Sequence, residues 1–104
     1  ARRWAIAERE RALGQCDLLV APAMPILPPR LDAIPEDYRL LLIPYNSPAS
    51  LWGAPAASVP CGLVDGLPVG LSLIGRNGED GVVLGAARAF QRLTDSEIRP
   101  ARCL

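Results

Sequence analysis

Residues 53–75, GAPAASVPCGLVDGLPVGLSLIG, place two apolar runs, Ala56–Cys61 and Leu67–Gly75, on either side of a turn at Val64-Asp65-Gly66. Asp-Gly between apolar segments is a strong short-range hairpin signal, because Gly takes φ > 0 at no steric cost and Asp tolerates it. The second run, Leu67-Pro68-Val69-Gly70-Leu71-Ser72-Leu73-Ile74, barely alternates in polarity. A strand with one solvated face carries polar residues at every second position, so this run predicts a strand covered on both faces. Covering both faces takes protein on each side. At 104 residues the chain has room for one domain and no second. A chain of this size buries roughly 65% of its unfolded surface, enough for a modest core.

The flanking elements follow from local signals. Residues 2–14 read as a helix with apolar positions Trp4, Ile6, Ala7, Ala12 and Leu13, a solvated charged face at 8–11 and Gly14 as its stop. Asp17–Ala21 is an apolar run consistent with a buried strand. Pro22, Pro25, Pro28, Pro29 and Pro35 follow within fourteen residues, which excludes helix and sheet interior and predicts a stiff loop. The intervening Ala, Met, Ile and Leu favour a loop packed on a surface over an exposed PxxP ligand. Glu36–Ile43 predicts a short helix that Pro44 ends, and Tyr45–Gly53 a small-residue loop or turn of helix. Residues 79–94 form the clearest helix, with Glu79 and Asp80 at its start and Arg88 and Arg92 towards its end. Two apolar stripes, Val82/Ala86/Ala89/Leu93 and Val83/Ala87/Phe90, give it a broad face, and Gly81, Gly85 and the strand residue Gly70 predict close helix–sheet approach. Residues 95–104 read as irregular. The expected class is α/β: a partial α/β/α layer with a short mixed sheet, its central hairpin at about 56–75, packed by helices at about 2–14 and 79–94.

Composition removes much chemistry. All 11 cationic residues are Arg, and there is no Lys and no His. Ser-His and Cys-His activation, Schiff bases, the P-loop lysine and imidazole metal ligands are therefore excluded. Cys16, Cys61 and Cys103 are odd in number, far apart and free of any C-x-x-C pattern. That spacing disfavours a redox or metal site and fits buried or incidental thiols in a reducing, cytoplasmic setting. No cofactor and no metal is expected. Zero net charge gives no reason to expect nucleic acid or an anionic membrane, and no apolar run approaches membrane-spanning length. The first residue is not Met, which points to a segment of something longer.

The run Gly53-x-Pro55-Ala56-x-Ser58-Val59-Pro60-Cys61-Gly62, followed by Gly66-Leu67-Pro68-Val69-Gly70-Leu71-x-Leu73-Ile74-Gly75-Arg76, resembles the C-terminal part of the amidase-signature hydrolases. Asp17-Leu18-Leu19-x-x-Pro22-x-x-Pro25 upstream, and Leu84 with Ala87 downstream, fit the same pattern in the same order. The resemblance covers about residues 15–94. It implies an α/β/α fold around a large mixed sheet and amide hydrolysis by a Ser–cis-Ser–Lys triad borne on an N-terminal half. A chain without Lys cannot carry that triad, so no residue here is expected to be catalytic, Ser47, Ser50, Ser58, Ser72 and Ser96 included. By resemblance, Tyr45–Trp52 approaches the substrate cleft, with Tyr45 and Trp52 as an apolar wall and Ser50 as a hydrogen-bonding group. Arg76 is expected to cap the neighbouring helix or pair with Asp80.

The sequence departs from the family at Ser50, Ser72 and Gly81, where Asn, Gln and an acidic residue are common. Leu42-Ile43-Pro44 replaces the acidic substrate contact usual in the subgroup that supplies ammonia to misacylated tRNA, which argues for a general amidase. Two expectations follow. In the first, the chain is the C-terminal part of an amidase, supplying scaffold and part of a substrate pocket, inactive alone and pairing with an N-terminal portion. In the second, it is a truncated, non-catalytic module for binding or self-association, motivated by an apolar sheet edge.

Overall fold

A computed structural model describes residues 2–94. Along the chain run α1 (Arg2–Leu13), β1 (Leu18–Pro22), α2 (Tyr38–Trp52), β2 (Ala56–Val64), β3 (Leu67–Gly75) and α3 (Asp80–Thr94). The irregular tail read over 95–104, with Ser96 and Cys103, lies outside the described residues.

The hairpin forms as its turn chemistry dictates. Val64 pairs with Leu67 across a two-residue loop in which Asp65 (φ 53°) and Gly66 (φ 75°) both take positive φ. Two positive φ values in a two-residue loop give the turn whose twist matches the flanking strands. Sheet order is β1-β3-β2, with β3 in the centre. Both pairings are antiparallel, so the described strands hold no parallel pair of a mixed sheet. The ladder is interrupted between Pro60 and Gly62, leaving Cys61 as an extra residue. Proline removes the donor that the ladder needs, which is why the bulge falls there. Pro22 closes β1 on an edge strand, the sheet position that proline tolerates.

One face of the sheet packs on α3. Val59, Leu73, Val83 and Ala87 form the buried cluster, with Leu18, Ala57, Leu71, Ala86 and Phe90 against it. Alternation sends Ile74 to the opposite face, where it is buried too. Double coverage of β3 therefore holds at its C-terminal end. Towards the turn it fails, because Leu63, Val64 and Leu67 are exposed.

Three expectations about α3 and its partners change. The buried stripe is Val83/Ala87 with Phe90, whereas Val82 and Leu93 of the first stripe face solvent. Gly81 and Gly85 have open space around them and make no close approach. The close helix approach is at Gly75, where a Cβ would overlap Val83 Cγ2, while Gly70 makes room for Ala23 and Ser58.

The largest departure is α2. Pro44 does not end it, and Tyr45–Trp52, expected as a loop or a turn of helix, continues the same helix. Pro44 and Pro48 stand four residues apart, so both rings and both missing donors fall on one side. Leu40, whose carbonyl an amide at position 44 would otherwise meet, is exposed, so the proline is placed where the helix faces solvent. Helix geometry resumes until Gly53, which takes the left-handed conformation (φ 64°, ψ 30°) and closes the helix with Gly53 N–H to Ser50 O and Ala54 N–H to Ala49 O. Glu36 and Asp37 precede the helix instead of forming its first turn.

Candidate functional site: an apolar cleft

The proline-rich segment arches over β1 and β3 and encloses a cleft of about 730 Å³. Its first residues continue the sheet, since Ala23 N–H donates to Gly70 O at 2.9 Å. Met24, Pro25, Ile26 and Leu27 are half-buried, which matches a loop packed on a surface. Val69 and Leu71 form the floor on β3, and Tyr38 closes one end from the start of α2. No charged side chain lines the cleft. Arg30 and Asp32 lie on the same segment but outside the lining, fully exposed, bonded to each other through two contacts of 2.9 and 2.8 Å. That pairing holds the Asp32 carboxyl below the ordinary aspartate range and raises the Arg30 guanidinium. Cys61, the bulge residue, presents an exposed thiol at the wall of the cleft instead of a buried one.

Tyr45, Ser50 and Trp52 do not line this cleft. Tyr45 and Trp52 are seven residues apart on α2 and share a face. Ser50 stands about 140° around the helix from Tyr45, on another side. Helix formation thus keeps the two aromatic residues together and separates the serine from them. Ser58 and Ser72 sit directly opposite each other in the sheet.

The charged run at 8–11 predicts a solvated face, yet the side chain of Arg9 is only 11% exposed. It reaches from α1 to the end of α2, where Nη1 donates to Trp52 O at 2.9 Å, and it pairs with Glu10. α2 has no basic residue in its own last turn, so a cation from another element meets its unpaired carbonyls. The signal lay in that missing charge. Arg76 caps the neighbouring helix as expected, donating from Nε to Leu13 O at 3.2 Å. Its ion partner is Asp17, at 3.8 Å, rather than Asp80. Arg9 and Arg76 border a second, polar hollow of about 390 Å³. Among the described residues no three His, Cys, Asp or Glu side chains cluster as a metal site would require, and no helix is long and apolar enough to cross a membrane.

Comparison with known proteins places this arrangement. The family profile described as Amidase matches residues 1–84, from α1 into α3. The chain belongs to the amidase family. It is 48% identical over 86 residues to a glutamyl-tRNA(Gln) amidotransferase subunit of Cenarchaeum symbiosum, covering 81% of this chain and 18% of that protein. The crystal structure of the corresponding glutamyl-tRNA(Gln) amidotransferase subunit from Thermotoga maritima superposes with a TM-score of 0.81 at 39% identity, covering 88% of this chain and 20% of that one. The peptide amidase of Stenotrophomonas maltophilia superposes with a TM-score of 0.70 at 34% identity, covering 96% of this chain and 20% of that one. The chain spans about one fifth of the length of these relatives. Amidotransferases and amidases alike match it, so Leu42-Ile43-Pro44, now part of a helix, does not separate the two groups by itself.

Proposed function

We propose that the chain is the C-terminal part of an amide C–N hydrolase of the amidase-signature type. It supplies sheet, core and one wall of a substrate pocket, lacks the Ser–cis-Ser–Lys triad, and does not hydrolyse alone. One observation carries the reading: a superposition with a TM-score of 0.81 on only 20% of a longer relative, by a chain that contains no lysine. A serine without a base is a weak nucleophile, and no histidine is present to replace the lysine. The amide is small, and Tyr45 and Trp52 form an apolar wall for it in the whole enzyme, with Ser50 addressing a different side of α2. The other four fifths of an amidase domain is the pairing partner. The test is an assay of purified 1–104 against simple aryl and aliphatic amides. No turnover is expected. Turnover that disappears on mutation of one of the chain's own serines would overturn the reading.

A second reading, a binding or self-associating module, draws support from α2. That helix has no buried residue, and Leu40, Ile43 and Leu51 are exposed along it. Apolar surface of this extent favours association. Light scattering after size exclusion separates the readings: a concentration-independent monomer argues against the module.

A further inference from the structure

At about 100° per residue, Tyr45 and Trp52 share one side of α2, while Leu40, Ile43, Pro44, Ser47 and Leu51 fall within a separate arc of about 100°. Leu40, Ile43 and Leu51 are each more than half exposed, and Pro44 is exposed beside them. The arc holds no charged residue, so covering it strips no ion of its hydration. Leu40, Pro44, Ser47 and Leu51 are spaced by four, three and four residues, as in a helix-packing seam. The seam reads the same from either end, with a leucine at each end and smaller side chains at the centre. Such a surface complements a second copy of itself turned end for end, the condition for an isologous two-fold contact.

Charge points to the same arrangement. The one charged residue of α2 is Arg39, near the N-terminal end, where the helix dipole disfavours a cation, and the last turn has no basic residue. In an antiparallel pair, Arg39 of each copy lies by the C-terminal end of the other copy's α2, where a cation is favoured. Arg9, already at that end, is paired with Glu10. The sheet offers no comparable match. Both of its edge strands carry a proline, Pro22 in β1 and Pro60 in β2, and proline blunts strand addition.

We propose that two copies of the chain associate through α2, antiparallel, about a two-fold axis between Pro44 and Ser47, with Leu40 of each copy against Leu51 of the other. The 15 residues of α2 extend about 22 Å. A contact of that length is at the small end of specific interfaces, so association is weak, with a dissociation constant of about 1–100 µM. Tyr45 and Trp52 lie outside the contact. The inference rests on the reading of the chain as a self-associating module, and it names the surface and the register.

The experiment is sedimentation equilibrium of the 104-residue chain at concentrations from well below to well above that range. A monomer–dimer equilibrium is expected. Leu40→Glu and Leu51→Arg should each weaken the dimer at least about tenfold, because each sets an unpaired charge against a leucine of the other copy. Leu40 is 70% and Leu51 54% exposed in the single chain, and Glu in the first turn and Arg in the last suit the helix dipole. Both variants should therefore keep the fold, read as an unchanged circular dichroism spectrum of the monomer. The register adds a result that undirected apolar association does not give. Leu40→Glu and Leu51→Arg combined in one chain, or the two single variants mixed, bring Glu against Arg and should restore affinity to within about threefold of the unaltered chain. A dimer that neither single variant weakens, or combined and mixed variants no tighter than the singles, would overturn the antiparallel pairing and leave the module reading in place. A monomer at every concentration would overturn both.

Discussion

Val83 of α3 seats its Cγ2 in the space that a side chain at Gly75 of β3 would occupy. Val83 is only 2% exposed, the deepest side chain of the core, and Gly75 N–H donates to Pro55 O at 2.9 Å. The Val83 side chain therefore packs directly on the backbone of β3. Gly75→Ala is expected to destabilise the fold by about 1–3 kcal/mol through overpacking. Val83→Ala should cost about 2 kcal/mol through lost burial and the space left behind. Combined, the two should cost less than their sum, because each relieves the other's fault. Chemical denaturation of the two single variants and the double variant checks this, and strict additivity would contradict it.

Arg9 ties α1 to the end of α2 through Trp52 O. Arg9→Ala removes a charged donor from a nearly buried carbonyl contact, and a loss of about 1.5–3 kcal/mol is expected. Hydrogen exchange should accelerate at Gly53 and Ala54, whose amides close the helix. Exchange that speeds uniformly across the chain would instead mean a global loss without a local tie.

The hairpin turn makes opposite demands on its two residues. Gly66 at φ 75° is expected to cost about 1–2 kcal/mol when replaced by Ala, since a Cβ is strained there. Asp65→Asn should be neutral or slightly stabilising, because Asn accepts the left-handed region at least as well. Thermal unfolding of both variants tests the pair.

Asp32 titrates below the ordinary aspartate range because Arg30 bonds to its ionised form. A lowered folded pKa means that the carboxylate's contribution is present above the ordinary value, about 3.9, and is lost as pH falls through the lower folded one. Arg30→Gln is expected to raise the Asp32 midpoint towards the ordinary value, read from its side-chain carbonyl carbon shift. Both groups are fully exposed, so global stability should barely move. An unchanged midpoint would rule out the pairing in solution.

Local signals make much of the fold legible. The Asp65-Gly66 turn, the apolar run of β3 and the polarity of α3 all act over a few residues, and each appears where expected. The family blocks are legible for the same reason: they sit on that hairpin. α2 escapes such a reading because a proline rule that holds for an average helix ignores where the orphaned carbonyl points. Around Pro44 the helix is exposed rather than buried, and Gly53 and Arg9 close its far end. The broad stripe of α3 is ambiguous because periodicity defines a face without saying which half finds a partner. The cleft has no signature at all. Val69 and Leu71 look like any strand residues until the segment after β1 is laid across them.

The sequence by itself determined the hairpin, its turn, the helices at both ends and the absence of a lysine or histidine to drive catalysis, because these depend on residue identity and short-range backbone preference. Tertiary structure decided which apolar faces are covered. It also turned Arg9 from a surface charge into a helix cap and folded the proline-rich segment into the wall of a cleft. Those outcomes depend on which distant elements meet. Strand register and helix packing set that, and no window of the chain contains them.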